Sequence, residues 1–249
     1  MRLAVIADVH ANAPALEAVL EAVTDLRPDR LVCLGDLVGY NAEPAPCVAR
    51  VRALADVVVA GNHDIDCLRV EAAEGTSPTA RRVQAWTRAQ LSVTDTDWLG
   101  RLPSLHVDPM GFVAVHGCYL NSTYHTGYVT GTMLEANLRA VVARPEWPRL
   151  ALCGHTHVPL LGWLSGSRCE EPPFRGTLKW PADADAVLVN PGSVGQPRDG
   201  DTRASFVLLD LEERTAELRR VAYDVEKTVA ALRAAGLPPE LGNRLREGR

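Results

Sequence analysis

Five short blocks hold most of the side chains able to do chemistry: Asp8-Val9-His10, Gly35-Asp36, Gly61-Asn62-His63-Asp64, His116-Gly117 and Gly154-His155-Thr156-His157. Five of the seven histidines fall inside them. The donors are imidazoles, carboxylates and one amide carbonyl, without a cysteine. That mixture suits Mn, Fe, Zn, Co or Ni better than a thiolate site or an all-oxygen calcium site. Asp8, His10, Asp36, Asn62, His116, His155 and His157 are too many ligands for one ion. They suffice for two adjacent ions if a carboxylate bridges them, the two-metal arrangement that hydrolyses phosphate esters.

Each block follows an apolar run of strand length, at 3–7, 31–34, 57–60, 112–115 and 150–153. Between the first two runs, Leu16, Val19, Leu20 and Val23 recur at helical spacing within 13–26, and 44–54 is a second helical stretch. The opening therefore reads βαβαβ with buried parallel strands. Ligands of parallel sheets gather beyond the carboxyl ends of the strands, so residues distant in sequence are brought to one rim. Helices are expected at 79–91 and 95–99 after a connection at 71–78, and a hairpin through Pro109-Met110-Gly111 leads into 112–115. In the second half, runs at 150–153, 160–164, 186–189, 206–209 and 218–221 are separated mostly by turn formers, which predicts a second, largely antiparallel sheet. Two helices, 131–142 and 224–235, lie in this half. Residues 165–173, with Cys169, read as an exposed loop, and 236–249 as a polar, loosely held tail. With no repeat and no shift in composition, one domain over 1–249 is expected, its helices flanking two packed sheets.

Composition narrows the function. At 47% apolar the 249 residues can fill a large core, and the net charge of −5 disfavours duplex nucleic acid and anionic membranes as partners. No apolar run is long enough for a membrane-spanning helix or a secretory signal, and the six cysteines include no C-x-x-C pair. A cytoplasmic protein with reduced, packed cysteines is expected, Cys118 and Cys153 among them. Isolated apolar side chains do not reveal whether it forms a homo-oligomer.

The order D-x-H, G-D, G-N-H-D, H-G, G-H-T-H resembles the calcineurin-like metallophosphoesterase superfamily. The later Asn190-Pro191-Gly192-Ser193-Val194-Gly195-Gln196-Pro197 is similar to a segment common in its small bacterial and archaeal phosphodiesterase branch. The resemblance implies an α/β fold, a four-layer α-β-β-α sandwich of two mixed β-sheets flanked by helices. It also implies two divalent or trivalent transition-metal ions, Mn first, with Fe, Zn, Ni or Co as alternatives. One would sit on Asp8, His10 and His157, the other on Asn62, His116 and His155, with Asp36 bridging. His63 matches the family's non-ligand general acid, and in-line attack by a metal-bound hydroxide would cleave a small phosphate ester. Protein Ser/Thr phosphatases and diadenosine tetraphosphate hydrolases carry an Asp-Arg pair soon after the G-D block. This chain reads Gly35-Asp36-Leu37-Val38-Gly39-Tyr40, which argues against both and leaves a small phosphodiester as the leading substrate.

Asn12 and Arg198 are candidate phosphate contacts, and Tyr40, Asn41 and residues 119–132 candidate pocket walls. Asp64 reads either as an orienting partner of His63 or as a helix cap. His106 and His125, outside the blocks, read as hydrogen-bonded structural residues. The alternatives are a phosphomonoesterase of the same fold, a nuclease, which would need an extended basic or aromatic groove, and a non-catalytic scaffold. Scaffolds resembling this superfamily, such as the retromer subunit, have lost metal-site residues, and here no expected ligand is missing.

Overall fold

A strand covered on both faces must be apolar wherever it is buried. β1 (Arg2–Ile6) turns Leu3 and Val5 to one side and Ala4 and Ile6 to the other. In the computed structural model, which describes residues 1–71 and 76–249, β1 lies parallel to β2 (Arg30–Cys33), itself parallel to β3 (Val57–Val58). The connection expected at 71–78 falls partly, at 72–75, outside the described residues. The first sheet is completed by three antiparallel strands, β11 (Ala204–Asp210), β12 (Thr215–Val221) and β9 (Thr177–Lys179), in the order β3-β2-β1-β11-β12-β9. The second sheet has the order β4-β5-β6-β10-β7-β8. Here β5 (Phe112–Val115), β6 (Leu150–Leu152) and β10 (Ala186–Pro191) run parallel. The hairpin strand β4 (Leu105–Asp108), with β7 (Pro159–Ser165) and β8 (Arg168–Glu170), is antiparallel.

Each sheet is thus mixed, and the division does not follow the two halves of the chain. β4 and β5 belong to the second sheet, whereas β9, β11 and β12 return to the first. The expected exposed loop at 165–173 is a tight hairpin: β8 pairs with β7, and Cys169 lies on the strand opposite Leu164.

The facing sheets bury Leu3, Val5, Val32, Leu150, Leu152, Val187 and Val189 between them. The outer face of the first is covered by α1 (Ala13–Leu26), α2 (Pro44–Leu54) and α5 (Val93–Leu99). That of the second is covered by α6 (Gly131–Val142), through Leu134, Leu138 and Val141. Helix, sheet, sheet, helix are the four layers. The short α3 (Asn62–Asp66) follows β3, and α4 (Pro78–Gln90) precedes α5.

Residues 236–249 are not a loose tail. Leu237, Leu241 and Leu245 recur every four residues, and the segment forms α8 (Pro239–Glu247) packed on α7 (Val225–Ala234) and α4 in a cluster with Val83, Val229 and Leu232. Leu241 is 4% and Leu245 1% exposed. Leu245→Ala is therefore expected to cost about 2–4 kcal/mol, read as a fall in Tm of roughly 5–10 °C. An unchanged Tm would show that α8 is undocked in solution.

Candidate metal centre

All six parallel strands end on one rim, and their loops are fastened to one another through backbone bonds. The Asp8 amide donates to the Gly35 carbonyl at 3.0 Å, and that of His10 to the Asp36 carbonyl at 2.8 Å. From the opposite sheet, the Gly154 amide donates to the His116 carbonyl at 2.8 Å. Asp8, His10, Asp36, His155 and His157 all have φ between 47° and 68°, the left-handed region that costs a side chain of this kind about 1–2 kcal/mol. Five of the seven expected ligands are thus held in strained backbone by their surroundings. Close approach adds a further constraint: a Cβ on Gly61 would overlap the Asp36 carboxylate.

The side chains converge as two groups that share one carboxylate. Asp36 Oδ2 lies 3.5 Å from His10 Nε2 and 3.2 Å from His116 Nε2. On one side, His10 Nε2 is 3.0 Å from His157 Nε2, which is 3.5 Å from Asp8 Oδ1. On the other, His116 Nε2 is 3.2 Å from His155 Nδ1. The groups Asp8, His10, Asp36, His157 and Asp36, His116, His155 each bring one ligand atom per residue within 4.8 Å of one another.

Hydrogen bonding behind the cluster fixes the tautomers. His10, His116 and His157 each direct Nδ1 at a backbone carbonyl, of Val38 (3.1 Å), Leu34 (2.7 Å) and Gln196 (2.6 Å) respectively. A carbonyl only accepts, so Nδ1 carries the proton, and each ring in its neutral form presents the Nε2 lone pair to the centre. The His10 and His157 lone pairs would then repel, and Asn62 Oδ1 is buried without a protein partner. A cation answers both conflicts, so the donor set fits metal ions.

Electrostatics agree. Burial pushes the Asp8 carboxyl up to about 7, whereas Asp36, despite its burial, is held well below the usual range by His116, His63 and His10. Burial also lowers His10 and His157 well below 6.5 and His155 to about 3; at His116 it is outweighed by Asp36, which raises that imidazole to about 9. Buried acids and bases thus compete for protons at one spot. Positive charge among them would keep the carboxylates ionised and the imidazoles neutral.

Other expected residues fall beside the cluster. The His63 ring stands edge-on to His10, centroids 5.0 Å apart, and 4.5 Å from the Tyr40 ring. Burial lowers its pKa, opposed by Asp36 and Asp66. Asp64 is not its orienting partner: its carboxylate accepts from the amides of Asp36, Leu37 and Gly61 at 2.8–2.9 Å, tying α3 to the Gly35-Asp36 loop. Asn12 is not available to phosphate. It is fully buried and caps α1 by accepting from the Ala15 amide, and it also bonds Thr228, Tyr223 and the Gly195 carbonyl. Asn41 is equally buried, donating to the His10 carbonyl rather than lining a pocket. Tyr119 lies in the core, so from 119–132 it is Tyr128 that reaches the site, stacked on His155 at 4.3 Å. Arg198 is at the rim, its charge acting on Asp8, His10, His63, His155 and His157. His106 and His125 bond to Asp108 and the Thr123 carbonyl, away from the cluster.

The end of β10 and the segment that follows it brace the centre. The Ser193 hydroxyl and Gly195 amide donate to the Asp8 carbonyl, the Asn190 amide side chain to the Gly154 carbonyl, and the Gln196 carbonyl accepts from His157. The carbonyls of Leu34, Val38 and Gln196, which set the three tautomers, carry no side-chain signature that a sequence could reveal.

A two-sheet α/β sandwich with buried Asp and His groups at the carboxyl ends of its parallel strands belongs to the class of folds able to hold metal ions at that rim. A sequence model of the calcineurin-like phosphoesterase superfamily domain matches residues 1–214, and the chain belongs to that metal-dependent superfamily. It is similar to a metallophosphoesterase of Sphaerobacter thermophilus of known structure. The two are 36% identical, with 100% of this chain and 99% of that one covered at a TM-score of 0.85. An uncharacterized protein of Methanocaldococcus jannaschii is 31% identical over 247 residues, 99% of this chain and 98% of its own length. A hypothetical protein of Pyrococcus horikoshii shares the fold at 21% identity and a TM-score of 0.81, covering 100% of this chain and 98% of its own. No helix among the described residues is long and apolar enough to cross a membrane.

Proposed function

We propose that the chain is a dinuclear metal-dependent phosphodiesterase acting on a small phosphate ester. The observation that carries this reading is the sharing of Asp36 between two groups of inward-facing donors. Asp8, His10 and His157 would hold one ion, Asn62, His116 and His155 the other, and Asp36 both, with Mn as the first candidate metal. When bound, two such ions supply the nucleophile and neutralise charge on the phosphoryl oxygens.

The protein's own groups supply the rest. His63 stands next to the cluster but outside both groups, and among the described residues its side chain makes no hydrogen bond, which leaves it free to give a proton to the departing oxygen. Arg198 donates through Nη2 to Tyr40 Oη and Gln196 Oε1, which hold its guanidinium at the rim, where its charge can meet a phosphate oxygen. Among the described residues Arg198 is the cationic side chain whose charge recurs across the cluster. One such cation beside the metals suits the single negative charge of a diester better than the second charge of a monoester. The net charge of −5 supports a small substrate over duplex nucleic acid, and six free cysteines suit the cytoplasm.

The test is to strip the metal, restore it as Mn, and compare an aryl phosphodiester with the matching monoester against a metal-free control. Mn-dependent cleavage that favours the diester is expected. A monoester preference would replace the diesterase by a phosphomonoesterase, and full metal loading without turnover of either ester would remove the hydrolytic reading.

A further inference from the structure

Helices α4 and α8 enclose a cavity of about 400 Å³ whose inner wall is made by Tyr40 and His63. It is a built space. Thr79 on α4 donates to Glu240 on α8 at 3.4 Å, Arg82 reaches the Gly236 carbonyl at 2.6 Å, and Val83 packs with Leu241 beneath. It also adjoins the metal rim directly, since the Tyr40 ring lies 4.5 Å from both His10 and His63. His63 is further set in place by Gly39, where a Cβ would come within 2.6 Å of its Nδ1.

We propose that this cavity receives the departing alcohol of the phosphodiester, a subsite that rests on the phosphodiesterase reading, and that this alcohol is a nucleoside-type group. The placement follows from the role of His63. An oxygen that takes its proton from this imidazole must touch it, and the carbon framework attached to that oxygen then occupies the space His63 borders. The class follows from the walls. Tyr40, Ala80, Val83 and Leu241 offer an apolar surface to a ring, in a volume typical of small-molecule sites. The lining also includes the Gln84 amide, able to donate and accept, and the Arg244 guanidinium; neither side chain has a hydrogen bond or ion pair among the described residues. Glu240, bonded to Thr79, retains acceptor capacity for a hydroxyl. A simple alkyl group would desolvate these three without replacing their hydrogen bonds, which is costly. A ring system with hydrogen-bonding edges and sugar hydroxyls satisfies them.

Ala80→Trp would fill the cavity, and Gln84→Ala and Arg244→Ala would remove its polar wall at partly or fully exposed positions where misfolding is not expected. Each Mn-loaded protein is assayed on a dinucleoside monophosphate, whose departing alcohol is a nucleoside, and on methyl p-nitrophenyl phosphate. The preference for the dinucleoside substrate, as a ratio of kcat/KM, should fall roughly tenfold or more in Ala80→Trp and roughly threefold in each alanine variant, mainly through KM. An unchanged ratio in all three overturns the subsite. A wild-type protein that cleaves the aryl diester but no dinucleoside monophosphate overturns the nucleoside class, whereas one that cleaves neither overturns the phosphodiesterase reading beneath it. A readout independent of turnover is calorimetric titration of metal-free protein with free nucleoside. Binding that Ala80→Trp weakens is expected, and no binding to the wild type overturns the proposal.

Discussion

Replacing Asp36 by Asn is expected to lower occupancy of both ion sites together and to reduce kcat/KM at least about a hundredfold, roughly 3 kcal/mol of lost transition-state stabilisation. Asp36 Oδ2 faces His116 Nε2 and His10 Nε2, one from each donor group. An amide there has one uncharged acceptor in place of a carboxylate. Whichever way it is turned, a shared negative charge is lost from a buried site in which three imidazoles have Nδ1 committed to backbone carbonyls. The backbone consequences are small: the Asp36 amide remains bonded to Asp64, and the bond from the His63 amide to Asp36 Oδ1 can be kept by an amide oxygen. The measurement is metal content per chain by elemental analysis, beside a denaturation curve to show the fold intact. Loss of one ion with the other retained in full would assign Asp36 to a single site, and two full ions would remove it from the metal centre.

The blocks that build this centre were legible because each joins two local signals, an apolar run that ends and a donor residue beside a glycine or a second donor. Residues 3–10 and 31–36 show this directly, since β1 and β2 stop within two or three residues of Asp8 and Asp36. What local sequence lacks is the identity of the partner. β11 pairs with β1 across some two hundred positions, Val5 opposite Val207, and nothing in either run states that they share a sheet. The same blindness affected Asn12 and Asp64. Both sit two residues beyond an expected ligand and both are polar, but only the backbone amides that they meet show that Asn12 caps α1 and Asp64 fastens the Asp36 loop. The last helix was hidden for another reason. Its leucines at 237, 241 and 245 carry a helical period, but the prolines at 238 and 239, the glycines at 236, 242 and 248 and the surrounding charge mask a stripe only three residues long. The strained φ values at five ligand positions leave no mark at all, because Asp and His occupy them for their chemistry rather than for their conformational preference.

His63→Ala should retain both ions and lose about 10²- to 10⁴-fold in kcat on diesters with alkyl leaving groups, while falling only about tenfold or less on an aryl diester. The contrast arises because an alkoxide must be protonated as the bond to phosphorus breaks, whereas a nitrophenolate departs as the anion. His63 lies outside both donor groups, so its removal takes away no ligand to metal. Nor does it dismantle the rim. Its backbone amide still donates to Asp36 Oδ1, Asp64 still holds the adjoining loop, and among the described residues the imidazole itself has no hydrogen bond to lose. A residue that merely filled space between Tyr40 and His10 would lower both rates by the same factor. An acid acts through the leaving group, so the slope of log kcat against leaving-group pKa should become steeper in the variant, and His63→Gln, which keeps bulk and polarity without a transferable proton, should show the same steepening. Equal slopes for the wild type and both variants would exclude proton donation by His63 and pass the role to solvent.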